Sequence, residues 1–385
     1  MKLKVATILG TRPEIIRLSR VISRLDRFFD HSLIHTGQNW DYELNELFFD
    51  DLGLRKPDYF LGVAGGSLGE TLGGILIETE KALQKVQPDA VLILGDTNSA
   101  ISALIARRMK IPVYHMEAGN RSFDRNVPEE TNRKLVDHIS DFNLVYTEHA
   151  RRHLLSEGIH HRRIYLTGSP MSEVLEYYRS QIVGSNVLQE LGLEEENYFV
   201  VSLHREENVD SKERLIELVA ALNELAMDYE CPVIVSTHPR TRNRLNELGD
   251  QCKFNEKVQF LKPFGFHDYN LLQMRAKCVI SDSGTIAEES SILGFPAVTP
   301  RDAIERPEAI DTGAIIFCGV VGKSLLQSVY LAIQTFDLNH KRGVQVNTPA
   351  DYCVHNCSER VLKLIQGSAR LSNQWDGIRM IGSDS

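Results

Sequence analysis

Carboxylate side chains follow several of the short apolar runs in this 385-residue sequence. Asp96 comes soon after the run Ala90–Leu94, where a strand would end. Glu117 directly follows the run Val113–Met116, and Glu129 stands in the first turn of a helical pattern. Carboxylates that lie close together raise one another's pKa, so that one can act as an acid and another as a base. Such a set could take a proton from a carbon atom, although helix capping would explain each acid taken alone.

Two segments that combine glycine with arginine or hydroxyl side chains could bind an anion. Arg12 lies in the segment Gly10–Glu14, which follows the first apolar run and leads into a helical pattern. Ser283, Gly284 and Thr285 open another helical pattern. Backbone N–H groups at a helix N-terminus bind phosphate, and guanidinium groups strengthen such a site. The two segments therefore favour a diphosphate ligand, while an ordinary turn and an ordinary helix cap stay open as explanations.

Two histidines, each close to an arginine, end two further apolar runs. His204 is followed by Arg205, and His238 comes two residues before Arg240. A histidine at such a position could bind phosphate or move a proton. One histidine alone is more often structural, but two at strand ends beside arginines favour an anionic ligand.

Two charged residues near the second anion-binding segment could also contact a ligand. Glu289 falls within one turn of the predicted helix, where its carboxylate could accept hydrogen bonds from ribose hydroxyls. Arg306 belongs to a polar cluster at positions 301–308. Favourable interaction with the helix dipole would explain Glu289, and a surface ion-pair network would explain the cluster.

The elements that must position these residues alternate between strand and helix along the whole chain. Apolar runs bounded by Gly, Pro, Asp or His are typical of buried parallel strands, and amphipathic patterns lie between them. This alternation predicts two doubly wound α/β domains, each with its ligands outside the carboxyl ends of the strands. The alternation pauses around position 170. We therefore expect a first domain over 1–169, a second over 170–369, and a C-terminal helix over about 370–385 that returns to the first domain.

Composition and charge exclude several classes of protein. The net charge of −9 and the pI near 5.8 disfavour bulk binding to nucleic acid or to an anionic membrane. No apolar run approaches the ~20 residues of a membrane span, and the N-terminus lacks the layout of a signal peptide. Six scattered cysteines favour a reducing compartment, and the cluster Cys353, His355 and Cys357 matches no common zinc spacing. We expect a cytoplasmic protein without a metal.

Seven ordered segments make the sequence resemble the non-hydrolysing UDP-N-acetylglucosamine 2-epimerases. They are GTRPE at Gly10, GDTNS at Gly95, HMEAGNR at His115, PEETNR at Pro128, HREEN at His204, SDSGTIAEE at Ser281 and ERPEA at Glu305. The resemblance covers about Val5 to Gly313. It implies two Rossmann-like domains in a glycosyltransferase-B arrangement, with UDP and the active site in the interdomain cleft. It also implies a homodimer.

The resemblance implies a reaction at carbon 2 of a UDP-linked N-acetylamino sugar, without metal or nicotinamide. A base removes the carbon-2 proton while UDP leaves carbon 1, and UDP then adds back to the 2-acetamidoglycal. The implied acids and bases are Asp96, Glu117 and Glu129, with His204 near the diphosphate; which carboxylate is the base stays open. The implied substrate contacts are Arg12, Arg17, Asn120, Arg133, Arg205, His238, Ser283, Gly284, Thr285, Glu289 and Arg306.

Departures from the family pattern point to a particular sugar. Thr285 stands where members acting on UDP-GlcNAc usually have glycine, Arg17 where they usually have lysine, and Asn120 where leucine is common. The sequence is most similar to the branch that makes UDP-N-acetyl-L-fucosamine from UDP-2-acetamido-2,6-dideoxy-L-talose for capsule or O-antigen. Epimerisation of UDP-GlcNAc to UDP-ManNAc stays open. A sugar transferase of the same architecture and a non-catalytic UDP-sugar sensor are further alternatives.

Overall fold

The computed structural model describes residues 2–37, 42–249, 253–303, 305–319, 322–344 and 348–378. The chain divides into two compact units. The first comprises Met1–Tyr177 and Asp351–Ser385, and the second comprises Tyr178–Ala350. No helix in the described ranges is long and apolar enough to span a membrane.

Each unit contains a parallel β-sheet. The strands are β1 Lys4–Leu9, β2 Asp30–His35, β3 Tyr59–Phe60, β4 Ala90–Leu94, β5 Val113–Met116, β6 Phe142–Val145, β7 Ile164–Leu166, β8 Phe199–Ser202, β9 Val233–Ser236, β10 Val258–Leu261, β11 Cys278–Ser281, β12 Ala297–Thr299 and β13 Ile316–Phe317. The strand order is β3-β2-β1-β4-β5-β6-β7 in the first unit and β10-β9-β8-β11-β12-β13 in the second. The predicted pair of parallel α/β domains is therefore confirmed.

Helices connect the strands. They are α1 Arg12–Phe28, α2 Tyr42–Asp51, α3 Leu68–Val86, α4 Ser102–Arg108, α5 Pro128–Ile139, α6 Glu148–Ser156, α7 Met171–Tyr177, α8 Arg179–Val183, α9 Val187–Leu191, α10 Glu206–Val209, α11 Lys212–Asp228, α12 Pro239–Leu248, α13 Phe266–Arg275, α14 Ile286–Leu293, α15 Glu308–Asp311, α16 Gly322–Lys341, α17 Cys357–Ser368 and α18 Ser372–Trp375. Short 3₁₀ turns lie at Asn98–Ile101, His161–Arg163 and Ala350–Tyr352.

Strands β4 and β5 of the first sheet are buried along their whole length, as expected for a parallel sheet with helices on both faces. All five residues of β4 and all four of β5 are buried. Such strands are continuous apolar runs, which is why they were predictable from the sequence. The short strands β3 and β13 were not predicted, because each has two residues and carries no periodicity.

In each sheet the chain reverses its direction of winding at one place, and this place organises the candidate site. In the first unit β1 pairs with β2 on one side and with β4 on the other. In the second unit β8 pairs in the same way with β9 and β11. Ligands of doubly wound sheets bind at the carboxyl ends of the strands at this switch point. The segments after β1, β4, β8 and β11 therefore lie where a ligand of such a sheet would bind.

The observed division of the chain differs from the expected domain boundaries. The first unit extends to Tyr177 and resumes at Asp351, rather than ending at position 169 and resuming at about 370. The reason is that α7 and α17 both pack on α1. Glu173 on α7 also accepts a hydrogen bond of 2.8 Å from the backbone N–H of Ser358 on α17. Of the predicted helix over 370–385, the described part contains α18, and 379–385 lie outside the described residues.

Candidate functional site

Glu117 lies in a strained turn directly after β5. Its φ of 64° is in the left-handed region, which costs a non-glycine residue roughly 1 kcal/mol or more. The residue is 7% exposed. Arg17 Nη1 donates to Glu117 Oε2 at 2.7 Å, and Asn120 Nδ2 lies 3.5 Å from Oε1. The buried carboxylate is therefore held between a cation from α1 and an amide of its own turn.

Asp96 follows Gly95 at the end of β4, beside the turn of Glu117. Its carboxylate accepts a hydrogen bond from Arg133 on α5, and Asn132 Nδ2 donates to its backbone carbonyl at 3.0 Å. A Cβ atom built on Gly95 would lie 4.0 Å from Glu117 Oε2. The structure thus brings the ends of β4 and β5 together, with a carboxylate on each.

The third predicted acid, Glu129, and its neighbour Glu130 differ in their environments. Both lie in the first turn of α5, which begins at Pro128. Glu130 is 4% exposed and accepts hydrogen bonds from the backbone N–H and the hydroxyl of Ser122, at 3.0 and 3.1 Å. Glu129 is half-buried, and within the described ranges it makes no hydrogen bond or ion pair. Glu130 has a structural role, while Glu129 keeps its carboxylate available.

Two arginines of α1 lie against aromatic rings. The guanidinium carbon of Arg12 is 5.6 Å from the centre of the Phe48 ring, and that of Arg17 is 5.8 Å from the Tyr146 ring. Cation–π contacts at these distances restrict the guanidinium groups. Arg17 is buried and Arg12 is half-exposed, so Arg12 is the more accessible cation.

Glu14 joins the segments after β1 and β4. Its Oε2 accepts hydrogen bonds from the backbone N–H groups of Gly10 and Thr11, at 2.8 and 2.7 Å. Its Oε1 accepts from the hydroxyls of Thr97 and Ser99, at 3.0 and 2.5 Å. Burial raises the pKa of Glu14 above its ordinary value, although these hydrogen bonds act to lower it. The carboxylate fixes both segments of the switch point and does not face a ligand.

In the second unit, Asp282 organises the segment after β8. This buried carboxylate accepts hydrogen bonds of 3.0 Å from the backbone N–H groups of His204 and Arg205, and one of 2.8 Å from Asn208 Nδ2. It also lies 3.0 Å from Nδ1 of His204. Burial alone would raise the pKa of Asp282, but His204 and these donors outweigh it and lower the pKa. The carboxylate therefore fixes the His204 ring by Nδ1 and leaves Nε2 for another partner.

The segment after β11 and the start of α14 bring together groups that could bind an anion. The hydroxyl oxygens of Ser283 and Thr285 lie 3.0 Å apart, and Ser283 Oγ accepts from the backbone N–H of Thr285 at 3.3 Å. A Cβ atom on Gly284 would lie 3.6 Å from Arg205 Nη2. A helix N-terminus, two hydroxyls and a guanidinium group thus surround one position, as a phosphate group requires.

A cavity extends from this segment. Its lining includes Ser283, Gly284, Arg301, Glu305 and Arg306. Both arginines are buried, and Arg301 Nη2 lies 3.3 Å from Glu305 Oε1. The polar cluster at 301–308 is therefore partly internal, which disfavours the explanation that it is only a surface network.

The remaining predicted residues of this unit lie on α14, just before α15 and at the N-cap of α12. Glu289 of α14 is 7% exposed and accepts a hydrogen bond of 2.9 Å from Gln273 Nε2. Arg306 Nη1 lies 2.9 Å from Glu288 Oε2. His238 caps α12, where its Nδ1 accepts from the backbone N–H two residues later at 3.3 Å. Its ring centre is 6.1 Å from that of His204.

The two units thus carry different chemistry. The first holds acids and bases at a switch point, and the second holds donors and cations suited to a diphosphate. Within the described ranges, no group of three or more His, Cys, Asp or Glu side chains could hold a metal ion.

Comparison with known proteins identifies the family. Residues 23–366 match the family model described as UDP-N-acetylglucosamine 2-epimerase. The chain belongs to the UDP-N-acetylglucosamine 2-epimerase family. The members of this family are isomerases, as the sequence predicted. The match extends across both units and begins within α1, after β1.

Three relatives of this epimerase family show how far the similarity extends. A solved UDP-N-acetylglucosamine 2-epimerase from Rickettsia bellii is 46% identical, with a TM-score of 0.89, over 98% of this chain and 100% of its own. The Methanocaldococcus jannaschii UDP-GlcNAc 2-epimerase in complex with UDP-GlcNAc and UDP is 38% identical, with a TM-score of 0.87, over 95% and 100%. A UDP-2,3-diacetamido-2,3-dideoxy-D-glucuronate 2-epimerase from Pseudomonas aeruginosa is 35% identical over 85% of this chain and 91% of its own.

Sequence reasoning missed several buried acids and one histidine. Glu14 and Asp282 lie inside segments that the resemblance quoted, yet they received no role. The spacing of Thr11 and Glu14 is that of a capping box, and this signal could have identified Glu14. His115 and Asp137 meet only in the folded chain, from β5 and α5, so no local pattern announces their contact.

Proposed function

We propose that this protein inverts carbon 2 of a UDP-linked N-acetylamino sugar by eliminating and re-adding UDP. A carboxylate takes the carbon-2 proton, the carbon–oxygen bond at carbon 1 breaks, and UDP leaves with that bond's electrons. The intermediate is a 2-acetamidoglycal. UDP then attacks carbon 1 again while a proton reaches carbon 2 from the opposite face. No atom is gained or lost, so the reaction needs no oxidant or reductant.

The observation that carries this proposal is the carboxylate pair at the ends of β4 and β5. An acid–base pair that works on one carbon requires carboxylates that the fold holds near each other. Asp96 and Glu117 meet this requirement, and each is held by an arginine, Arg133 and Arg17 respectively. Glu129 is the third acid that we propose for the set, because its carboxylate makes no bond to a described residue.

We propose that residues of the second unit hold the diphosphate of the same substrate. A leaving UDP must be stabilised when it departs and retained until it adds back. Ser283, Gly284 and Arg205 form the helix-terminal anion site, and His204 offers Nε2 from a ring fixed by Asp282. The other contacts in this proposal are Arg12, Asn120, His238, Thr285, Glu289 and Arg306.

As the substrate we propose UDP-2-acetamido-2,6-dideoxy-L-talose, which the reaction would convert to UDP-N-acetyl-L-fucosamine. The support is the polar Asn120 amide, 3.5 Å from Glu117 Oε1, and the Thr285 hydroxyl, 3.0 Å from Ser283. At both positions, family members that act on UDP-GlcNAc usually have a different residue. A second candidate is UDP-GlcNAc itself, which is favoured by the names of the Rickettsia and Methanocaldococcus relatives. A capsule or O-antigen role, the cytoplasmic location and the homodimer stay predictions.

Hydrogen exchange at carbon 2 tests the reaction and the sugar together. Purified protein is incubated in deuterated water with UDP-N-acetyl-L-fucosamine or with UDP-GlcNAc, and the carbon-2 proton is followed by NMR. Loss of the proton signal together with a new epimer supports epimerisation. The sugar that exchanges its carbon-2 proton faster identifies the substrate class. Binding of UDP without exchange in either sugar would support the sensor and contradict the proposal. Transfer to an added acceptor without exchange would support the transferase.

Two substitutions test the acid–base assignment. Glu117→Gln and Asp96→Asn keep the shape of each side chain but remove its basicity, so kcat should fall about 10²–10⁴-fold. UDP affinity, measured by calorimetry, should stay close to that of the wild type. Glu148→Gln is the matched control, because Glu148 is a half-exposed acid of the same unit, paired with Arg151 at 3.0 Å. Near-wild-type kcat in both active-site variants would refute the assignment.

A further inference from the structure

The turn that carries Glu117 is conformationally costly. Glu117 has a φ of 64° and Gly119 a φ of 80°. A Cβ atom on Gly119 would lie 2.5 Å from the carbonyl oxygen of Ala150, so the backbone is packed tightly against α6. A turn with two left-handed residues persists only where surrounding contacts determine it. In this protein these contacts come from α5.

Asp137, on α5, is the group at which these contacts converge. Its side chain is fully buried, and its Oδ2 accepts a hydrogen bond of 3.2 Å from the backbone N–H of Gly119. Arg121 Nη1 lies 2.7 Å from Oδ2. His115 Nδ1 lies 3.0 Å from Oδ1. The Asp137 carboxylate thus contacts His115 near the end of β5, the N–H of Gly119 in the turn, and Arg121 after the turn.

His115 extends the connection to the second acid. Its Nε2 lies 2.7 Å from the carbonyl oxygen of Gly95, the residue before Asp96. The imidazole ring is completely buried between Asp137 and this carbonyl. A continuous chain of contacts therefore joins the turn of Glu117, through Asp137 and His115, to the loop of Asp96.

Charge compensation around Asp137 keeps this chain of contacts in place. Burial acts to raise the pKa of Asp137, but the contacts with His115 and Arg121 outweigh it and lower the pKa. Arg121 is itself fixed by Glu157, with two hydrogen bonds of 2.8 and 2.7 Å. Arg121 also donates to the backbone carbonyl of Asn120 at 2.7 Å. Removing the charge of Asp137 would leave a buried arginine partly uncompensated, next to the turn.

We infer that Asp137 is a positioning residue, which sets Glu117 and Asp96 relative to each other through the Gly119 N–H and through His115. This inference rests on the proposed function for its kinetic consequence. Asp137 lies behind the turn and contacts no reacting atom, so its effect on the reaction comes from geometry. A displacement of about 1 Å at the reacting groups can cost about 10²-fold in rate.

The kinetic test is Asp137→Asn, compared with Asp141→Asn. Asp141 is a matched control, because it is 2% exposed, accepts the backbone N–H of Val113 at 2.9 Å and pairs with Arg107 at 2.5 Å. It therefore holds the opposite end of β5. We expect Asp137→Asn to lower kcat about 10²-fold with KM within about threefold, because the turn moves while diphosphate binding is unchanged. Asp141→Asn should lose stability but keep its kcat per folded molecule. Equal kcat in the two variants would overturn the inference.

A measurement independent of the reaction separates this inference from the proposed function. Amide hydrogen exchange, followed by mass spectrometry on peptides covering 116–121, reports the Gly119 N–H directly. It should accelerate in Asp137→Asn and stay as in the wild type in Asp141→Asn. If the wild type proves inactive, the proposed function fails, while faster exchange still supports the positioning role. Unchanged exchange in Asp137→Asn overturns the inference whatever the activity.

A second variant decides the question if Asp137→Asn does not fold. His115→Asn keeps a nitrogen near Asp137 but is too short to reach the Gly95 carbonyl. We expect peptides covering 94–97 to exchange faster and kcat to fall at least tenfold, with UDP affinity retained. Wild-type exchange in these peptides would contradict a connection between the two acids.

Discussion

The ion pair between Arg17 and Glu117 permits a quantitative test of how the site is held. The two groups are 2.7 Å apart with side-chain exposures of 3% and 9%. Replacing Arg17 by Met removes the cation and leaves the Glu117 carboxylate buried beside an apolar side chain. Breaking one partner of a buried pair costs about 3–5 kcal/mol, mostly because the remaining charge is uncompensated. We therefore expect Arg17→Met to lower the free energy of unfolding of the first unit by about that amount.

A double-mutant cycle isolates this contribution. Glu117→Gln in the Arg17→Met background removes the uncompensated charge, so the double variant should be more stable than the sum of the single effects predicts. We expect a coupling of at least ~2 kcal/mol, within the range for residues in contact. Urea unfolding at neutral pH, followed by circular dichroism and fluorescence, measures each variant. The coupling should persist in 1 M salt, because screening acts weakly on buried pairs.

The exposed pair Lys81 and Glu78 provides the control. Its atoms are also 2.7 Å apart, but the side chains are 59% and 38% exposed. The same cycle with Lys81→Met and Glu78→Gln should give a coupling of about 0–1 kcal/mol that salt removes. If the Arg17 cycle gave an equally small, salt-sensitive coupling, Glu117 would not be held by charge compensation. The reasoning that ties the acid to α1 would then be refuted.

Two further predictions concern pH. Because the pKa of Asp282 is lowered in the folded state, this carboxylate stabilises the protein fully at pH values above its ordinary pKa of 3.8. This stabilisation is lost as the pH falls through the folded-state pKa. The Tm difference between the wild type and Asp282→Asn should therefore shrink only in acid. For Glu14, burial raises the pKa above 4.5, so its contribution is complete below 4.5 and declines as the pH rises through the folded-state pKa. Glu14→Gln should therefore approach the wild type in stability at higher pH. Glu14→Ala should cost about 2–4 kcal/mol in urea unfolding, because the N–H groups of Gly10 and Thr11 lose their acceptor.

The fold was predictable because its information is local. The runs Ala90–Leu94 and Val113–Met116 are strands with the predicted bounds, since strands buried on both faces are largely apolar runs. The domain boundary was harder to predict, because it depends on which earlier helix α7 and α17 pack against. That choice is a tertiary contact, and the apolar pattern of these helices does not specify its partner.

The candidate site was predictable to the extent that its residues follow strands. Parallel topology brings the carboxyl ends of strands together, so Asp96 and Glu117 could be placed near each other without a structure. The sequence could not show which acid forms its hydrogen bonds within the protein, as the neighbours Glu129 and Glu130 illustrate. Both are first-turn acids of α5, and contacts with Ser122 and Lys134 make Glu130 structural.

The two switch points use one physical arrangement for different purposes. In each unit a buried aspartate, Asp137 or Asp282, accepts a backbone N–H of the functional segment and contacts a histidine. In both cases these partners lower the pKa of the carboxylate against the effect of burial. The difference lies in the histidine. His115 is fully buried and its second nitrogen meets the Gly95 carbonyl, so the pair can only support the acids. The His204 side chain is 35% exposed, so we propose that the same pair presents a ring nitrogen to a ligand. We therefore propose that exposure of the histidine, and not the Asp–His contact itself, distinguishes a supporting pair from a ligand-binding pair in this protein.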